Sequence, residues 1–189
     1  MGPGVYEKCQ TQKFVASQAR HANKGGKRPK ALSDFGTQLI EKQKARFSYG
    51  LTERQFSNYV KKATEVKGGN APELLFGYME TRLDNVVYRF GVAHTRSLAR
   101  QMVSHGHFVV NGKKLTVPSY QVRPGDVISV REGSRKSPLF QDLGKKLKNY
   151  SAPAWLSFDA EKIEGNVVSL PKNTEGFIDL NAIFEFYSR

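Results

Sequence analysis

Arg96 and Arg100 lie four positions apart, as do Lys42 and Arg46. On a helix that spacing puts both members of a pair on one face. A guanidinium grips phosphate through parallel hydrogen bonds and stacks on bases, whereas an ammonium acts as a point charge. Paired cations on rigid elements therefore suit a phosphate-rich partner. Groups for bond-making chemistry are thinner. Among the histidines His21, His94, His105 and His107, only His105 and His107 are close. Two apart, they fall on different sides of a helix end or loop, and no carboxylate or cysteine joins them at ligand spacing. No metal is expected. For these two the readings are a phosphate or base contact, which we favour, and an ordinary surface role. Cys9 is the only cysteine, so a disulfide within the chain and a multi-cysteine zinc site are excluded. Asp84, Asp126 and Asp159 sit in unrelated contexts, and Asp84 reads as the local partner of an arginine near a helix start. Nothing assembles a nucleophile, a base and an orienting group. The chain reads as a binding protein rather than an enzyme, with no cofactor.

Composition agrees. A 189-residue chain can bury a real core, and its formal charge of +13 with pI near 9.9 points to a polyanion. Hydrophobic content of 39% with 11% aromatics argues against wholesale disorder. No apolar run approaches the roughly 20 residues of a membrane span. The start lacks the apolar core of a secretory signal, so the expectation is cytoplasmic.

The elements follow from periodicity. Residues 1–31 form a basic, Gly-containing arm, whose run Lys24-Gly-Gly-Lys-Arg-Pro-Lys30 reads either as a solvated tail or as a strap for phosphates. Ser33 is a plausible N-cap for a helix to about Arg46, with Phe35 and Leu39 inward and Lys42 and Arg46 outward. Thr52 and Gln55 have capping-box spacing, opening a helix with Phe56, Tyr59, Val60 and Ala63 inward. After Gly68-Gly69, Asn70 and Pro72 start the next helix. There Leu75, Met79, Leu83, Val86 and Phe90 form one continuous stripe, read as a long helix stopped by Gly91. Thr95 caps a second helix with Leu98, Ala99, Met102 and Val103 inward and Gly106 at its end. His107-Phe-Val-Val110 is extended, and Asn111-Gly112 signals a two-residue hairpin. Val127-Ile-Ser-Val130 closes a small sheet after the turn Pro124-Gly-Asp126. Residues 133–138 read as linker, and 139–149 as a short helix carrying Lys145, Lys146 and Lys148. Trp155-Leu-Ser-Phe158 and Asn166-Val-Val-Ser-Leu170 have strand propensity, with a turn near Glu164-Gly165. A last short helix spans Ala182 to Tyr187.

The run from Arg82 to Leu115 resembles the small RNA-binding module named after the fourth protein of the small ribosomal subunit. The flanks resemble that ribosomal family itself: Ser33-Asp-Phe-Gly through Arg46, Tyr49-Gly50 and Glu53-Arg-Gln-Phe56, then Pro153-Ala-Trp-Leu156, Leu170-Pro171 and Phe184-Glu-Phe-Tyr187. The likeness covers the chain from about Ser33 to its end, in the bacterial type without the zinc knuckle. It implies an α+β fold: a mainly helical domain (32–79, completed by 176–189) with an inserted S-four-type RNA-binding domain and β extension (80–175). It also implies a structural constituent of the small subunit that binds its rRNA early and nucleates assembly. Contact with the fifth small-subunit protein, an influence on accuracy, and a place where mRNA enters the subunit belong to the same expectation.

The candidate RNA contacts are Lys24, Lys27, Arg28 and Lys30 in the arm, and Lys42, Lys44, Arg46, Tyr49 and Arg54 in the helical domain. In the module they are Arg82, Thr95, Arg96, Arg100, Ser104, His105, His107, Asn111, Lys113 and Lys114. Folded RNA hides its base edges, so it is recognised by shape, phosphates and 2′-hydroxyls, which rigidly spaced cations can meet. Each charge run has a plainer reading as a solvated face. The rivals are an RNA-modifying enzyme such as a pseudouridine synthase, or a free RNA-binding stress factor, carrying the same module.

Overall fold

The computed structural model describes residues 11–22, 31–140, 150–159, 162–173 and 176–188, together with Val5, Cys9, Leu143 and Leu147. The candidates Lys24, Lys27, Arg28 and Lys30, and the lysines Lys145, Lys146 and Lys148, lie outside the described residues. Among those described, eight helices and one five-stranded antiparallel sheet make an α+β fold. The chain forms two compact units, Met1–Gly68 with Glu175–Arg189, and Gly69–Thr174. No helix of the described residues is long and apolar enough to cross a membrane.

The first unit holds α1 (Gln12–Ala22), α2 (Asp34–Ser48), α3 (Glu53–Glu65) and α8 (Leu180–Tyr187). Residues 12–22 of the basic arm are thus the helix α1. Caps open the other three as side-chain chemistry dictates. Ser33 accepts from the Gly36 N–H, Thr52 and Gln55 close a reciprocal capping box, and Asp179 accepts from the Ala182 N–H at 3.1 Å. The last helix packs on α2, where Gln38 Nε2 donates to Glu185 Oε2 at 2.8 Å and the Phe35 and Phe186 rings stand 5.4 Å apart. Phe35 stays 46% exposed and Leu39 only half-buried, so the inward face of α2 is set by Gln38, Lys42 and Ala45 instead.

The second unit runs α4 (Ala71–Glu80), α5 (Leu83–Arg89), α6 (Arg96–Ser104), β1 (Phe108–Val110), β2 (Lys113–Leu115), β3 (Val127–Val130), α7 (Glu132–Arg135), β4 (Leu156–Asp159) and β5 (Glu164–Val167). The stripe Leu75, Met79, Leu83, Val86 and Phe90 is fully buried, yet it spans two helices rather than one. At the break Arg82 is extended. The N–H groups of Leu83 and Asp84 donate to the carbonyls of Tyr120 and Pro118 at 2.9 and 3.1 Å, and Val122 N–H donates to the Thr81 carbonyl. Loop 118–122 takes the hydrogen bonds a continuous helix would have made, so the helix can stop and restart.

The sheet order is β2-β1-β3-β5-β4. Asn111 and Gly112 have φ of 50° and 76°, the pair of positive values that a two-residue hairpin of this hand requires. Glu164 and Gly165 lie inside β5 rather than in a turn, and Gly165 pairs with Phe158. A Cβ on Gly165 would meet Phe90 Cζ at 2.3 Å. The glycine is there for a close approach, not for a bend. Residues 133–138 likewise are not simple linker, since most of α7 falls in them. Helices and sheet enclose one core in which Phe90, Phe108, Ile128, Trp155 and Leu156 are buried.

Candidate nucleic-acid interface

The module is built as α5 and α6 packed together with the β1–β2 hairpin after them. Gly91, at φ 75°, stops α5, and Thr95 Oγ1 accepts from the Leu98 N–H at 3.1 Å to open α6. Ala99, Met102 and Val103 turn inward. That leaves Arg96 and Arg100 along the flank of α6 that meets α5, each half-exposed.

They do not simply project into solvent. Arg100 Nε donates to Asp84 Oδ2 at 2.8 Å, and Arg96 Nε donates to Asn85 Oδ1 at 2.7 Å. The Arg96 guanidinium also lies 4.3 Å from the centre of the Tyr88 ring, a cation–π contact. Asp84 is held from the other side by Arg82, whose Nε and Nη2 donate at 2.9 and 2.8 Å. The local arginine partner expected for Asp84 is therefore Arg82. Because Arg82 is only 2% exposed, it is a buried structural ion and leaves the set of surface contacts. A guanidinium that deep can reach no phosphate.

Around the end of α6, Ser104 and His105 are exposed and His107 is half-buried, with Nδ1 3.0 Å from Ser134 Oγ and its ring edge-on to Phe140. Burial, then the neighbouring His105 and Arg131, hold the His107 imidazole below its ordinary pKa. Ser104 Oγ donates to the Arg100 carbonyl. At the hairpin tip Asn111 is exposed, but its side chain is spent locally: Nδ2 donates to Asp126 Oδ1 at 2.8 Å and Oδ1 accepts from the Val127 N–H at 2.9 Å. Asn111 sets the tip rather than reaching from it. Lys113 and Lys114 are exposed beside it, and the Lys114 chain crosses Gly106, where an added Cβ would meet its Cε at 2.3 Å. Arg131, exposed at the end of β3 with its N–H on the His107 carbonyl, joins this basic group. Sequence reasoning passed over it because it belongs to no helical pair.

In the first unit the expected outward face of α2 is largely occupied. Lys42 is 7% exposed, with Nζ 3.0 Å from Glu53 Oε1 and 4.3 Å from the Phe186 ring centre. Lys44 pairs with Glu41. Arg46 reaches Glu53 Oε2 at 3.4 Å and lies over the Phe47 ring. Tyr49 is 4% exposed and cannot stack on a base. Arg54 is exposed. Among the described residues no group of three or more His, Cys, Asp or Glu is placed to hold a metal.

A hairpin following two short packed helices, with cations along the helix flank and at the hairpin, is the architecture of an S4 domain, and the S4 domain family model matches residues 81–128. The N-terminal domain model of ribosomal proteins S4 and S9 matches residues 4–80. The chain is 47% identical over 175 residues to the small ribosomal subunit protein uS4 of Aquifex aeolicus, covering 90% of this chain and 82% of that one. It is 46% identical over 188 residues to uS4 of Acetivibrio thermocellus, covering 97% and 89%. To uS4 of Streptococcus thermophilus it is 49% identical over 160 residues, covering 84% and 78%. The chain belongs to the uS4 family of ribosomal proteins.

Proposed function

We propose that this chain is a non-enzymatic structural constituent of the small ribosomal subunit that binds its rRNA early and nucleates assembly. The observation that carries the reading is the coincidence of family membership with the α5–α6 flank, where two arginines are held at fixed spacing on a rigid pair of helices. Phosphate recognition by folded RNA-binding proteins needs that geometry. Exposed Lys113, Lys114, Arg131 and Arg54 supply further phosphate contacts, with His105 and Thr95 at the two ends of α6. Contact with the fifth small-subunit protein, an effect on decoding accuracy, and proximity to mRNA where it enters the subunit belong to the same reading, as does residence in the cytoplasm on the ribosome.

Sedimentation tests it. In a lysate of the source cells at moderate salt, the protein should comigrate with small subunits and leave them as salt rises, because neutralised phosphates mean counterion release. Residence in free fractions with activity on unassembled RNA would contradict the proposal and favour a modifying enzyme or stress factor.

A further inference from the structure

Asp84 and Asn85 are consecutive on α5, each only 2% exposed, and each receives the Nε of one α6 arginine. The anchors are of different kinds. Asp84 is already matched by buried Arg82, which grips both of its oxygens. Asn85 is neutral. Its amide is aimed by Glu80, since Nδ2 donates to Glu80 Oε2 and to the Glu80 carbonyl, each at 2.9 Å. That carboxylate is matched in turn by Arg89, through Nε at 3.0 Å and Nη2 at 2.7 Å.

The arrangement answers a physical conflict. A free arginine must give up rotamer freedom when it binds, at about 0.5–1.5 kcal/mol for a side chain immobilised at an interface. An arginine fixed by an unmatched carboxylate avoids that cost and loses its attraction for phosphate. Here the fixing groups are themselves neutralised from behind.

Resting on the rRNA reading, we propose that Asp84 and Asn85, backed by Arg82 and by Glu80 with Arg89, are positioning residues. They pre-set the Arg100 and Arg96 guanidiniums for RNA phosphates. Tyr88 assists by supporting the Arg96 plane.

The test is a double-mutant cycle with the full chain and a transcript of small-subunit rRNA, by filter binding at fixed salt, with affinities counted per folded molecule. Arg96→Ala should weaken binding about tenfold and Asn85→Ala by up to about tenfold, the scale of one hydrogen bond to a charged group. Tyr88→Leu should cost about threefold. In an Arg96→Ala background, Asn85→Ala and Tyr88→Leu should each cost less than about twofold more, while the melting-temperature loss of Asn85→Ala persists. Additive losses, or none, would overturn the proposal, because the anchors would then not act through Arg96. If Asn85→Ala does not fold, Tyr88→Leu decides alone, since Tyr88 is partly exposed and Leu keeps its apolar contacts. Absence of binding by the unaltered protein would instead overturn the rRNA reading itself.

Discussion

The Tyr187 hydroxyl donates to Glu53 Oε1 across 2.6 Å, tying the last helix of the chain to the first turn of α3. The same carboxylate takes Lys42 and Arg46. Burial alone would raise the Glu53 pKa, but the Tyr187 hydroxyl and the two cations outweigh it and hold the group below its ordinary value of 4.5. The unfolded chain therefore binds this proton more readily. Its contribution to stability is whole above about 4.5 and is lost as pH falls through the lower folded value. Burial and then Glu53 push the Tyr187 phenol well above its ordinary 10.0, so that contribution is whole below about 10 and lost as pH rises beyond it.

Tyr187→Phe should accordingly lower stability at neutral pH by about 1 kcal/mol and flatten the alkaline limb of a melting-temperature profile. Glu53→Gln should flatten the acid limb. Profiles parallel to that of the unaltered protein would show that this cluster does not set the pH response.

Arg82→Met should destabilise the second unit by about 3–5 kcal/mol, because it leaves the buried Asp84 carboxylate short of its main partner. Trp155, the only tryptophan and a buried member of that core, reports the unfolding by its fluorescence. A change under about 0.5 kcal/mol would mean that Arg100 can take over the whole task.

Gly165→Ala should cost about 1–3 kcal/mol by overpacking. The added methyl would point at Phe90, which is 1% exposed and stacked on Phe158 at 4.9 Å, so the ring has nowhere to go. Unchanged denaturant midpoints would contradict that close approach.

Features that a few neighbouring residues decide were legible in the sequence. The Thr52–Gln55 box, the Thr95 cap, the positive-φ glycines Gly91 and Gly106 and the Asn111–Gly112 turn all form as their spacing predicts. What escaped was decided by partners distant in the chain. The break at Arg82 depends on carbonyls of Pro118 and Tyr120. The burial of Lys42 depends on Phe186, and the role of Gly165 on Phe90. The same holds for the site: helical spacing placed Arg96 and Arg100 on one face, but only the fold shows that Asn85 and Asp84 hold them. It also shows that Arg82, Tyr49 and Lys42 are too deep to touch RNA.

Contact of Arg96 and Arg100 with the backbone of small-subunit rRNA is the core of the proposed function. Its most direct test is the affinity of an Arg96→Ala, Arg100→Ala double variant for that rRNA across a salt series. Asp84 keeps Arg82, so thermal unfolding should change little, while affinity falls by about two orders of magnitude at low salt and the logarithmic salt slope shrinks by about two. An affinity and a slope equal to those of the unaltered protein would contradict it.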